Sequence, residues 1–120
     1  LLTRHKRYRD MVRGAIKAMG LELFAGDAAA STALTAVYAP ENIGSNQIRK
    51  EMLEKYNIVL AGGQQSLDNV IFRIGHLGYV RELDLLSVLA ALEITLIKLG
   101  YNLTPGAGVK KAQEFLLDNY

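Results

Sequence analysis

IVLAGGQQSLDNVIFRIG, residues 58 to 75, is the stretch on which the fold turns. Ile58 to Ala61 is a short apolar run, and Val70 to Gly75 is another, rich in the β-branched and aromatic residues that suit a pleated surface. Between them lies GGQQSLDN, whose Gly, Ser, Asp and Asn are turn formers. Two strands joined by a loop longer than the tight hairpin types is the direct reading. In the second strand Val70, Phe72 and Ile74 share one face, and Ile71, Arg73 and Gly75 share the other. Neither face is polar, yet Arg73 stands among them with a guanidinium that never loses its charge.

Outward from these strands the chain reads as helix, short strand, strand, helix, strand, strand, helix, helix. Residues 4 to 19 carry Tyr8, Met11, Val12, Ala15, Ile16 and Met19 at helical spacing, and Gly20 stops them. LELF, 21 to 24, alternates as a short strand does, and GDAAAS, 26 to 31, is a loop. TALTAVYAP, 32 to 40, is a strand ended by Pro40. Ser45 or Asn46 is the expected cap of a helix running to about Tyr56. A long helix over about 82 to 99 ends at Gly100, with apolar residues around most of its circumference, so burial on most sides is expected. Part of that burial is expected against something outside this chain. A last helix covers about Val109 to Leu117. Few strands with hairpin or crossover links define an α+β fold: a small, mostly antiparallel sheet of three to four strands, helices on one face.

The 120 residues amount to a single domain, 1–120, with 50% hydrophobic and 22% charged residues, a globular composition. Fourteen Lys and Arg against 12 Asp and Glu leave a net charge of +2, too little to argue for a nucleic-acid partner. Asp84, Glu93 and Lys98 interrupt the most apolar segment, which argues against a membrane span. No cysteine is present, which removes disulfides and thiolate chemistry and fits a reducing cytoplasm. No apolar run follows the first residues, so no signal peptide is read. Arg4, Lys6, Arg7, Arg9 and Arg13 crowd the first helix against Asp10 alone, where cations oppose the helix dipole. This is either a solvated basic face or the sign of a fragment cut near or within a helix that continued upstream.

The chemistry-bearing residues form no complete catalytic set. His5 and His76 are far apart in sequence, without a carboxylate motif between them, so no metal site is expected. His76, beside a strand end, reads as a structural histidine. No serine sits in a nucleophile motif. The lysines, Lys6, Lys17, Lys50, Lys55, Lys98, Lys110 and Lys111, fall on helices, and none looks desolvated as a Schiff-base lysine should be. Gly62 and Gly63 lack phosphate-loop spacing. Two readings of Arg73 stand open at this point. It pairs with an internal carboxylate such as Glu22, Glu54 or Asp84, or it holds a ligand carboxylate in a bidentate fork. Gly75 and Gly78 leave room for a close approach.

IVLAGGQQSLDNVIFRIGHLGYV, 58 to 80, resembles the C-terminal domain of class V pyridoxal-phosphate aminotransferases, above all the alanine–glyoxylate (serine–pyruvate) type. LTAVYAPENI, LAALEITLIKLGY and GAGVKKAQEFL are similar to further blocks of that domain, in order. The resemblance implies a larger enzyme with an upstream domain that carries the lysine and binds the cofactor, and a homodimer. It implies amino-group transfer between a small amino acid, alanine or serine, and a 2-oxo acid, glyoxylate or pyruvate. Arg73 then falls on the family's substrate-carboxylate arginine, and Gly62 and Gly63 fall where its loop nears the cleft. No cofactor-binding or catalytic residue is expected within 1–120, and the chain alone is expected to be inactive. Two departures lie in the loop: Gln65 where the family often has glycine, and Asp68-Asn69 where it often has Lys-Gly. The alternative of another class is a stand-alone small-molecule-binding or dimerisation module, pairing through the Leu83–Leu99 helix. A third reading, a purely structural interaction domain, requires Arg73 to be paired internally.

Overall fold

The computed structural model describes residues 2–76 and 80–118. Four helices, α1 (Leu2–Ala18), α2 (Ser45–Tyr56), α3 (Glu82–Lys98) and α4 (Ala107–Asp118), surround three strands, β1 (Leu34–Tyr38), β2 (Ala61–Gly62) and β3 (Ile71–Gly75). The strands form one antiparallel sheet in the order β1-β3-β2. The expected α+β class with a small antiparallel sheet is therefore the observed one. Arg73, in the central strand, lies opposite Ala36 of β1 and Ala61 of β2.

Alternation decides which face is which. Phe72 and Ile74 of β3 and Thr35 and Val37 of β1 are buried. They join Met11, Val12, Ile16, Ile48, Met52, Leu89, Leu92 and Leu96 from the helices in one core. Burying side chains of this size is worth about 1.5–3 kcal/mol each. The opposite face carries Leu34, Ala36, Tyr38 and Ile71 with Arg73; Ile71 is buried at the Tyr38 end, and the other four keep partial access to solvent. Phe24 leans on Tyr38 there, ring centroids 5.6 Å apart.

Helix α1 buries Tyr8, Met11, Val12, Ala15 and Ile16, and Gly20, at φ +81°, turns the chain out of it. It packs along α4. The approach is closest at Gly108, where a Cβ would collide with the end of Met19. The N-terminus of α4 is closed from inside the molecule. Glu93 of α3, only 3% exposed, accepts hydrogen bonds from the backbone N–H groups of Gly108 (3.3 Å) and Val109 (3.2 Å). A carboxylate there meets both the orphan donors and the positive end of the helix dipole.

Several expectations need correction. Residues 21 to 24 form no strand of their own, only an isolated bridge from Leu23 to Val37. The strand expected over Ile58 to Ala61 shrinks to Ala61–Gly62, because its partner β3 is met only there. Neither Ser45 nor Asn46 caps α2. Gly44, at φ +83°, holds that position, and Asn69 caps from across the molecule, its side-chain oxygen accepting Asn46 N–H (3.0 Å) and its carbonyl accepting Ser45 N–H (3.1 Å). Within this chain α3 buries Leu85, Leu89, Leu92 and Leu96 and leaves Leu83 74% and Ile94 43% exposed. The basic face of α1 is not wholly solvated either. Arg13 is buried, and its guanidinium donates to Ala25 O (2.7 Å) and Asp27 Oδ1 (2.9 Å). Asp27, also met by Lys17, has its carboxyl held below the ordinary value by the Arg13 hydrogen bond first and Lys17 next. Among the described residues no helix is long and apolar enough to cross a membrane.

Candidate functional site

Arg73 is half-buried at the centre of the open sheet face. Its two cross-strand neighbours, Ala36 and Ala61, are small, so the long side chain is flanked by low ground on both sides. Its Nε donates to Gly62 O at 3.0 Å. No carboxylate among the described residues forms an ion pair with it; the pairs formed are Arg7–Glu82, Arg9–Asp10, Arg13–Asp27 and Lys17–Asp27. Glu22, Glu54 and Asp84 thus do not neutralise it. With Nε engaged by a backbone carbonyl, the terminal nitrogens are left to an incoming acceptor, and a carboxylate fits two of them side by side. Over Gly75 no described atom stands within 4 Å of where a Cβ would be, so that space is open. Gly78 lies outside the described residues.

Gly62 and Gly63 are glycines because this chain's own atoms crowd them. A Cβ on Gly62 would sit 2.5 Å from Nη1 of Arg49, and one on Gly63 would run into the carbonyl of Leu67. The loop beyond them is folded, not slack: Gln65–Leu67 make a single tight turn, and Val70 N–H returns to Leu67 O at 3.0 Å. Arg49 comes from α2. Its Nε donates to Leu60 O (3.0 Å) and its Nη1 to Asn46 Oδ1 (3.3 Å). It lines a cleft of about 310 Å³ with Asn46, Lys50, Leu53, Val59 and Leu60. That cleft does not contain Arg73, which stands on an open surface instead. Sequence reasoning missed Arg49, although a glycine within a strand signals that something approaches the backbone closely.

His76 directly follows the strand that carries Arg73 and is fully buried. Its Nδ1 faces the carbonyl of Thr32 at 3.1 Å and its Nε2 faces Thr35 Oγ1 at 2.9 Å. A carbonyl only accepts, so Nδ1 carries the proton and Nε2 accepts from the threonine hydroxyl. Burial lowers its pKa below the ordinary 6.5, with the nearby charges of Arg9 and His5 acting the same way. The unfolded chain therefore binds more protons than the folded one just below pH 6.5. Stability contributed by neutral His76 is complete above that pH and falls as the solution is acidified towards the folded pKa. Thermal unfolding between pH 7.5 and 5 should show this loss, and His76→Gln should flatten it; an unchanged slope would exclude His76 as its source.

All seven lysines are exposed helix residues. None adjoins Arg73 on the sheet, and none sits in the dry pocket that a cofactor aldehyde needs. Among the described residues no group of three His, Cys, Asp or Glu could hold a metal. Among the described residues, then, no lysine is placed to hold a cofactor aldehyde.

The fold and the site together define an α+β module that presents Arg73 on an open sheet face, its Nε held by Gly62 O. The chain is similar in sequence to several aminotransferases and spans only about 30% of the length of the relatives it matches. It is 37% identical over 117 residues to serine–glyoxylate aminotransferase of Methylorubrum extorquens, matching 97% of this chain and 29% of that one. The ureidoglycine–glyoxylate aminotransferase structure from Bacillus subtilis superposes on 96% of this chain and 30% of its own, with a TM-score of 0.91 and 31% identity. A relative from Synechococcus, 48% identical over 97% of this chain and 30% of its own, bears the name soluble hydrogenase, small subunit. Cysteine-free, the present chain offers no thiolate ligand to a metal centre. No protein-family model matches the chain.

Proposed function

We propose that the chain is the C-terminal domain of a homodimeric pyridoxal-phosphate-dependent aminotransferase. The enzyme would move an amino group from alanine or serine to glyoxylate or pyruvate, with Arg73 binding the α-carboxylate. The observation that carries this reading is the guanidinium on the open face, held by Gly62 O and free of any carboxylate among the described residues. Its role is positional: two charge-assisted hydrogen bonds fix the carboxylate, and with it the direction of the bonds at the α-carbon. The cofactor and its lysine belong to the remainder of the enzyme, which also supplies the wall facing Arg73. Gly62 and Gly63 border the cleft so formed, and the enzyme works in the cytoplasm.

The test compares the 120-residue chain with the same chain joined to an upstream region of the kind its relatives carry. The joined protein should show cofactor absorbance and transaminate alanine or serine with glyoxylate, and the short chain should do neither. Tight, saturable binding of a carboxylic acid by the short chain alone would overturn this reading in favour of a stand-alone binding module.

A further inference from the structure

We propose that Arg49 is a positioning residue for Arg73, acting through the backbone of Gly62. The proposal rests on the reading of Arg73 as the carboxylate clamp.

Strand β2 is an edge strand two residues long, so only two backbone pairs, Ala61 with Arg73 and Gly62 with Phe72, tie it to the sheet. Something else must fix its outer side. Arg49 does so in two ways. Its hydrogen bonds to Leu60 O and Asn46 Oδ1 brace the segment entering β2 against α2. Its guanidinium also lies against the α-carbon of Gly62, where an added Cβ would fall 2.5 Å from Nη1 and 2.9 Å from Cζ. On the other side, the carbonyl of the same glycine receives Nε of Arg73. A guanidinium is planar, so holding Nε in place sets the plane and aim of the terminal nitrogens. Gly62 is thus held between two arginines. The one on α2 fixes the peptide, and the peptide fixes the direction of the one on β3. A side chain at this position would press on the Arg49 guanidinium and push it from its place.

In the complete enzyme, Arg49→Ala should raise the Kd for glycolate, a carboxylate that cannot transaminate, by about tenfold, since misplacement by a fraction of an ångström is costly in such sites. The KM for the amino donor should rise by a like factor, with kcat within about twofold and cofactor absorbance unchanged. Gly62→Ala should do the same by collision. Added to Arg49→Ala, where the collision is gone, Gly62→Ala should contribute less than about twofold more, a non-additivity expected only of residues acting through one contact. Arg49→Met keeps the stem and loses the donors, and serves if the alanine variant folds poorly. A merely structural arginine would lower the melting temperature and leave Kd and the KM-to-kcat split untouched. That result, or multiplicative effects in the double variant, would overturn the proposal. Arg73→Lys is measured alongside. If it too leaves glycolate binding unchanged, the clamp reading itself falls; if it weakens binding while both other variants do not, only the positioning role falls.

Discussion

Arg73→Ala in the complete enzyme is expected to lower kcat/KM for amino acids by about 10²–10³-fold, chiefly through KM. Each charge-assisted hydrogen bond lost is worth about 1.5–3 kcal/mol, so two lost together give about 3–6 kcal/mol, and the lower end, about 3–4 kcal/mol, applies because water resolvates the carboxylate at an open face. The fold should survive, because the side chain is half-buried on the open face and, among the described residues, makes a single hydrogen bond, to Gly62 O. Steady-state kinetics with alanine and serine check the prediction, with circular dichroism confirming that the variant is folded. An unchanged KM in a folded variant would remove Arg73 from the substrate's path.

The second large effect concerns stability. Glu93→Ala strands two backbone donors, those of Gly108 and Val109, at the buried start of α4. Leaving a buried donor without an acceptor costs about 1–3 kcal/mol, about 2–6 kcal/mol for two, and because the Val109 bond is only part-buried the lower part of that range, about 2–4 kcal/mol, is expected. For a domain of this size that corresponds to a fall in Tm of about 10 °C. Glu93→Gln keeps an acceptor oxygen but loses the charge that suits the helix N-terminus, and should cost roughly half as much. Thermal unfolding followed at 222 nm measures both, and equal melting temperatures for all three proteins would show that α4 is held by its apolar contacts alone.

Legibility from sequence followed the range of the interactions involved. The helices α1 and α2 and the strand β3 were readable because burial leaves a period in the residues themselves: Met11, Val12, Ala15 and Ile16 at helical spacing, Phe72 and Ile74 at strand spacing. Parity put Arg73 on the face opposite Phe72 and Ile74, but with both faces apolar it did not say which of them was the core. What escaped was settled by partners distant along the chain. Glu93 looked like a flaw in an apolar run, because its partners begin 15 residues later. Asn69 looked like loop filler, yet its side chain caps a helix 23 residues earlier. Arg13 looked solvated, and its acceptors lie beyond the end of its own helix. The two departures in the loop also have a local meaning. Gln65 and Asn69, standing where glycine is often found, both adopt positive φ, 54° and 62°. Asparagine accepts that conformation readily and glutamine at some cost, so the turn survives the change of residue.

The antiparallel register of β1 and β3 has an evolutionary corollary. Because neighbouring side chains point oppositely, sliding β3 by one position would drag a permanent cation into the oily interior and expel Phe72 into water. Such a slip carries a steep penalty, so selection that merely preserves a sound protein also keeps Arg73 on the face turned away from Phe72 and Ile74.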